Sequence, residues 1–161
     1  MKETVFDATA VLAVLNDEPG AEKVAPLLPR AVMSSVNLAE VVSKLADAGI
    51  PDETNEAPRS KLRGITELNS EDFSEGEANL VASYGECQVQ TGIGQLGITV
   101  ISFDEPLAFS TGFLRATTSD YGLSLGDRAC LALGKHLHRP VLTADRMWST
   151  LKLDVTIQLI R

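Results

Sequence analysis

The chain has 161 residues, 44 % of them hydrophobic, and a formal net charge of −8 at pH 7. This size and composition predict one globular domain, spanning residues 1–161, with a core of its own. The acidic balance argues against a protein that binds nucleic acid by charge alone, but it does not exclude a nuclease, because bound cations can supply positive charge at the cleavage point. No apolar run is long enough to cross a membrane and no basic leader precedes residue 5, so we expect a cytoplasmic protein.

Strand and helix signals alternate along the chain. Apolar and β-branched runs predict strands at residues 4–6, 31–34, 98–101, 140–143 and 155–160. Helical periodicity lies between them, with Asn37 predicted to open one helix, Asp104 to cap another and Ser124 to cap a third. Five short strands separated by helices predict an α/β domain of three layers, α/β/α, with a mostly parallel five-stranded sheet.

Residues 51–73 interrupt this alternation. They are polar, charged and poor in large hydrophobic side chains, which predicts a loop or a loosely ordered insertion. The two cysteines, Cys87 and Cys130, are too few for a disulfide scaffold and lack the spacing of a zinc site. We therefore expect both to be reduced thiols, with Cys130 in the core.

Four acidic residues fall where a strand gives way to a helix: Asp7, Glu40, Asp127 and Asp145. In a parallel α/β sheet these junctions lie on one edge, so side chains that are distant in sequence can meet there. Crowded carboxylates repel one another and raise each other's pKa, unless a hard divalent cation sits among them. The pattern predicts a site for Mg²⁺ or Mn²⁺.

Each of these acids also has a simpler interpretation. Asp7 and Asp145 occupy positions where Asp commonly serves as a helix N-cap. Glu40 is compatible with a solvated helix residue, and Asp127 with an acid that the dipole of its helix favours in the first turn. Asp104 follows a strand as well, and we interpret it as a helix cap outside the site.

Four sequence blocks, at residues 5–12, 37–41, 123–130 and 141–146, together resemble PIN-domain ribonucleases, in particular the VapC-type toxins of bacterial toxin–antitoxin pairs. The resemblance implies a PIN-like fold in which Asp7, Glu40, Asp127 and Asp145 form an acidic quartet that binds Mg²⁺ or Mn²⁺. It matches Thr9 and Thr143 to hydroxyl positions beside that quartet. Residues 51–97 depart from the pattern, being longer than the corresponding region of these small toxins.

The resemblance further implies metal-dependent hydrolysis of RNA, a homodimer and a cognate antitoxin. Asp7 and Asp145 would hold a first metal ion with Asp127 completing or bridging the site, and Glu40 would bind a second ion or orient water. Two alternatives stay open: a PIN-like module that only binds proteins, and a haloacid-dehalogenase-like phosphatase. The phosphatase reading lacks support at one position, because Thr9 stands where such an enzyme carries its second Asp.

Overall fold

The computed structural model describes residues 3–47 and 96–161. The described residues form five strands and five α-helices, so the predicted insertion at 51–73 and Cys87 lie outside the described part of the chain. The strands are β1 (Thr4–Phe6), β2 (Ala31–Ser34), β3 (Thr99–Ile101), β4 (Val141–Thr143) and β5 (Ile157–Leu159). The helices are α1 (Ala8–Leu15), α2 (Ala21–Val24), α3 (Ser35–Asp47), α4 (Glu105–Thr118) and α5 (Leu125–Leu137), with 3-10 turns at Ala25–Arg30, Ser119–Tyr121 and Arg146–Thr150.

All five strands are parallel and lie in the order β3-β2-β1-β4-β5. The central strand β1 pairs with β2 on one side and β4 on the other, placing Val5 between Val32 and Val141. The chain moves outward from β1 in one direction through β2 and β3, and in the other through β4 and β5. The order therefore reverses between β1 and β4, and in open parallel sheets this switch point is where a crevice opens at the carboxyl ends of the strands.

Two hydrophobic clusters cover the two faces of the sheet. Alternate residues of the central strands point to opposite faces, so that Phe6 and Leu142 join one cluster and Val5 and Val141 the other. The first cluster includes residues of α1, α2 and α3, and the second includes residues of α4, α5 and the turn that contains Trp148. The predicted three-layer α/β/α architecture with a parallel five-stranded sheet is confirmed.

Helix α5 approaches the sheet closely because Gly134 lies over β4. A Cβ atom at this position would collide with the Val141 side chain, so a residue without a side chain is needed where the helix crosses the strand. Cys130, in the same helix, is fully buried and free, as predicted. No α-helix within residues 3–47 and 96–161 has the length and apolar character needed to cross a membrane.

The prediction that Asn37 opens a helix is wrong. Helix α3 begins at Ser35, directly after β2, and the hydroxyl of Ser34 accepts a hydrogen bond from the Val36 N–H at 3.3 Å. A serine hydroxyl can satisfy a free amide at a helix start just as an asparagine can, so the preference for Asn pointed to the wrong residue. Asn37 is instead inside the helix and fully buried, and Glu40 lies in its second turn.

Candidate functional site

Asp7 follows β1 at the switch point and is only 2 % exposed. Its Oδ2 atom accepts hydrogen bonds from Thr9 Oγ1 at 2.5 Å and from Thr143 Oγ1 at 2.9 Å. The same oxygen accepts from the Thr9 N–H at 3.4 Å, which makes Asp7 the N-cap of α1. Asp7 is thus a helix N-cap, as the simpler interpretation predicted, and it also lies at the edge of the sheet.

The two threonines join the ends of β1 and β4. Thr9 Oγ1 accepts from the Ala144 N–H at 3.0 Å, and Thr143 Oγ1 accepts from the Asp145 N–H at 3.1 Å. Each hydroxyl has one proton, so accepting from a backbone amide leaves that proton free to be donated to Asp7. The two threonines therefore hold Oδ2 of Asp7, and Oδ1 faces a different partner.

That partner is Asn37, which sequence reasoning did not place in the site. Its Nδ2 atom lies 3.5 Å from Asp7 Oδ1 and 3.2 Å from the carbonyl oxygen of Gly126. The signal available in the sequence was its spacing: Asn37 precedes Glu40 by three residues, so the two share one face of a helix. A buried amide on that face connects three segments, the end of β1, helix α3 and the start of α5.

Glu40 is half-buried, so the interpretation as a solvated helix residue describes only part of its side chain. Its carboxylate lies against the first turn of α5, where a Cβ atom added to Gly126 would stand 2.6 Å from Glu40 Oε2. Asp127 is the next residue of that turn. The packing of α3 on α5 brings Glu40 to the same region as Asp7 and Asp127.

The carboxylates of Asp127 and Asp145 bind the starts of their own helical segments. Asp127 Oδ2 accepts from the Ser124 N–H at 2.6 Å in a capping box, and Asp145 Oδ1 accepts from the Met147 N–H at 2.8 Å. Within residues 3–47 and 96–161, no three His, Cys, Asp or Glu side chains are grouped closely enough to hold a metal ion. The quartet as a shared metal site therefore stays a prediction.

Three of the four acids, Asp7, Glu40 and Asp127, interact electrostatically. Burial raises the pKa of Asp7, against the hydrogen bonds from Thr9 and Thr143, and the charge of Asp127 raises it further. Burial also raises the pKa of Glu40, with added repulsion from Asp7 and Asp127 and an opposing effect of Lys44. Asp7, Glu40 and Asp127 thus carry a repulsion that an added cation would relieve.

These shifts predict how stability depends on pH. An acid whose folded pKa is raised contributes stability below its unfolded pKa, and this contribution is lost as pH rises through the folded pKa. We therefore expect Glu40→Gln to gain stability relative to the unmodified chain between about pH 4 and pH 7. Urea unfolding of both proteins across this range checks the sign, and a widening deficit of Glu40→Gln toward neutral pH would contradict it.

The parallel five-stranded sheet, with a cluster on each face and carboxylates at its switch point, defines the class of the chain as a three-layer α/β/α domain. No protein-family model matches the sequence, and no curated protein matches it. Solved structures do match the fold. One similar chain comes from a toxin–antitoxin complex of Klebsiella pneumoniae, with a TM-score of 0.58, 12 % identity and coverage of 99 % of this chain and 98 % of that chain. Another comes from DNA-bound VapBC of Salmonella typhimurium, with a TM-score of 0.58, 16 % identity and coverage of 100 % of both chains.

FitAcB from Neisseria gonorrhoeae is a third match, with a TM-score of 0.57, 17 % identity and coverage of 98 % of this chain and 97 % of that chain. At these identities the likeness establishes the fold. The resemblance to PIN domains of the VapC type, first noted in four short sequence blocks, is thus confirmed at the level of the fold.

Proposed function

We propose that this chain is a metal-dependent ribonuclease and the toxin of a toxin–antitoxin pair. The observation that carries the proposal is Asp7, a carboxylate buried at the switch point and coupled to Glu40 and Asp127. One similar structure is a toxin–antitoxin complex and another is DNA-bound VapBC, which supports the biological half of the proposal. The chemical half rests on the acids themselves.

The donor set fits Mg²⁺ or Mn²⁺, because these hard cations prefer carboxylate and other oxygen ligands. Asp7 and Asp145 would hold one ion with Asp127, and Glu40 would bind a second ion or orient water. Capping occupies one oxygen each of Asp127 and Asp145, which leaves the other oxygen as a ligand. When bound, the cation supplies a lower pKa for water and stabilises charge on the phosphate.

The residues of the chain have separate tasks in this proposal. Thr9 and Thr143 hold Asp7 Oδ2, so that the carboxylate keeps one orientation at the sheet edge. Glu40, half-buried against the first turn of α5, would bind a second ion or orient the water that attacks the phosphodiester. The burial of Asp7 itself excludes bulk water around its carboxylate, which strengthens electrostatic interactions there.

The proposed partners are an antitoxin and a second copy of the chain. A net charge of −8 favours a basic antitoxin segment whose Arg or Lys side chains reach the acids. Helix α4 exposes two aromatic side chains, Phe109 at 60 % and Phe113 at 76 %, on one face. Neighbouring exposed aromatic residues are typical of surfaces that another protein covers, which supports the proposed dimer.

The test compares two strand-end aspartates. Asp145→Asn removes a proposed ligand, whereas Asp104→Asn makes the same change at the cap of α4 after β3. Because Asn also caps helices, both variants should fold. We expect the unmodified chain and Asp104→Asn to cleave RNA with Mn²⁺ but not with EDTA, and Asp145→Asn to lose on the order of 100-fold in rate.

Equal cleavage by the two variants would remove Asp145 from the site, and absence of cleavage by the unmodified chain would defeat the nuclease. The capped state of Asp127 and Asp145 favours one competing function, a PIN-like module that binds a partner without catalysis. Such a module would bind its antitoxin yet show no heat on titration with Mn²⁺. A haloacid-dehalogenase-like phosphatase would instead form a phosphoenzyme, which the proposed nuclease does not.

A further inference from the structure

Two residues outside the acidic quartet lie beside the acids: Asn37 in helix α3 and Gly126 in helix α5. Asn37 is completely buried, and its amide nitrogen bridges Asp7 Oδ1 and the Gly126 carbonyl. Its own Oδ1 atom is buried and has no hydrogen-bond partner among the described residues. Leaving a buried polar atom unpaired costs free energy. Packing alone therefore does not explain an amide side chain at this position.

Gly126 completes the contact from the side of α5. The Glu40 carboxylate occupies the space that a Cβ atom at residue 126 would fill, at 2.6 Å from Glu40 Oε2. The same Cβ would meet Ser124 Oγ at 3.6 Å and Asn37 Nδ2 at 3.7 Å, both ordinary contacts. A side chain at residue 126 would therefore force the Glu40 carboxylate to move, whereas Ser124 and Asn37 could stay in place.

We infer that Asn37 and Gly126 are positioning residues that set the Asp7 and Glu40 carboxylates at the spacing the proposed metal site uses. The inference rests on the proposed function for the identity of the site. Asn37 holds the one Asp7 oxygen that the threonines leave free, and Gly126 admits Glu40 to the start of α5. Neither residue needs to touch a substrate for this role.

The first experiment measures Mn²⁺ binding by calorimetry for the unmodified chain and for Gly126→Ala. Alanine is the better helix former, so the helix should persist while the new methyl group displaces Glu40. We expect Mn²⁺ affinity to fall about 10- to 100-fold. Gly112→Ala is the matched control, because a Cβ at Gly112 in α4 meets nothing within 4 Å; its Mn²⁺ affinity should equal that of the unmodified chain.

The second experiment uses folding stability and needs no metal. In a double-mutant cycle, Gly126→Ala should stabilise the chain more in the Glu40→Ala background than in the unmodified one, because removing the carboxylate removes the collision. Additive effects of the two changes would overturn the inference. Asn37→Leu, which keeps the branching at Cγ but removes the amide, should lower Mn²⁺ affinity at least tenfold.

The outcomes separate the two claims. If the unmodified chain binds no Mn²⁺, the proposed function fails, and with it the metal-site role of these residues. If the unmodified chain binds Mn²⁺ and Gly126→Ala binds it equally well, the positioning role is wrong while the proposed function stands. Reduced affinity of Gly126→Ala together with a coupled stability cycle supports the role of Gly126. Asn37→Leu binding Mn²⁺ as tightly as the unmodified chain would overturn the role of Asn37.

Discussion

Asp7→Asn is expected to abolish most of the RNA cleavage, by on the order of 10²–10³-fold, because the charge that would bind the cation is gone. The same change is expected to make the folded chain more stable at neutral pH. Burial raises the pKa of Asp7, so its ionised form destabilises the fold, and a neutral amide avoids that penalty. Lost function combined with gained stability would identify a residue kept for its chemistry.

Hydrogen bonding tolerates this substitution in part. The new side-chain carbonyl can still accept from Thr9 and Thr143. Asn37 can turn its amide so that Oδ1 accepts from the new NH₂ group, at the cost of the hydrogen bond from Asn37 Nδ2 to the Gly126 carbonyl. Urea unfolding at pH 7 and an RNA cleavage assay with Mn²⁺ measure the two effects. Full activity would remove Asp7 from the site, and a lower stability at pH 7 would refute the argument from burial.

Trp148→Ala is expected to lower the free energy of unfolding by about 3–5 kcal/mol. Trp148 is fully buried in the cluster beneath α5, in the turn that directly follows Asp145. Its Nε1 atom has no hydrogen-bond partner among the described residues, so the loss is one of packing and apolar burial. Such a loss is a large part of the stability of a small domain.

The neighbouring residue supplies the control for this prediction. Met147 is 51 % exposed in the same turn, so Met147→Ala should change the free energy of unfolding by less than about 0.5 kcal/mol. Urea denaturation followed by circular dichroism measures both variants. Similar small effects of the two substitutions would mean that the turn is not held by its tryptophan.

Strands β1, β2 and β4 were predictable because burial on both faces leaves a continuous apolar signal. The predicted strands at 4–6 and 31–34 coincide with β1 and β2, whereas the predicted strand at 155–160 shortens to β5 at Ile157–Leu159. The Thr156 carbonyl and the Ile160 N–H still hydrogen-bond to Val141 and Thr143 of β4, so the predicted strand and β5 differ only at their ends. The start of α3 was missed because several polar residues near Asn37 can cap a helix equally well.

The site was predictable in part. A strand that ends in Asp fixes the location of Asp7 along the chain, and the parallel topology fixes the edge on which it lies. What no local pattern gives is the direction in which a carboxylate turns. Asp127 and Asp145 accept hydrogen bonds from backbone amides of their own segments. The residue type does not predict this, because an aspartate can cap a helix or bind a cation.

Helix α5 is in contact with its surroundings through a glycine near each end, Gly134 against Val141 and Gly126 against Glu40. Eight residues of helix span about 12 Å, and a helix is stiff over that distance. A side chain introduced at Gly134 would push helix α5 away from β4. Because the helix moves as one body, its first turn, which borders Glu40 and contains Asp127, would then shift as well.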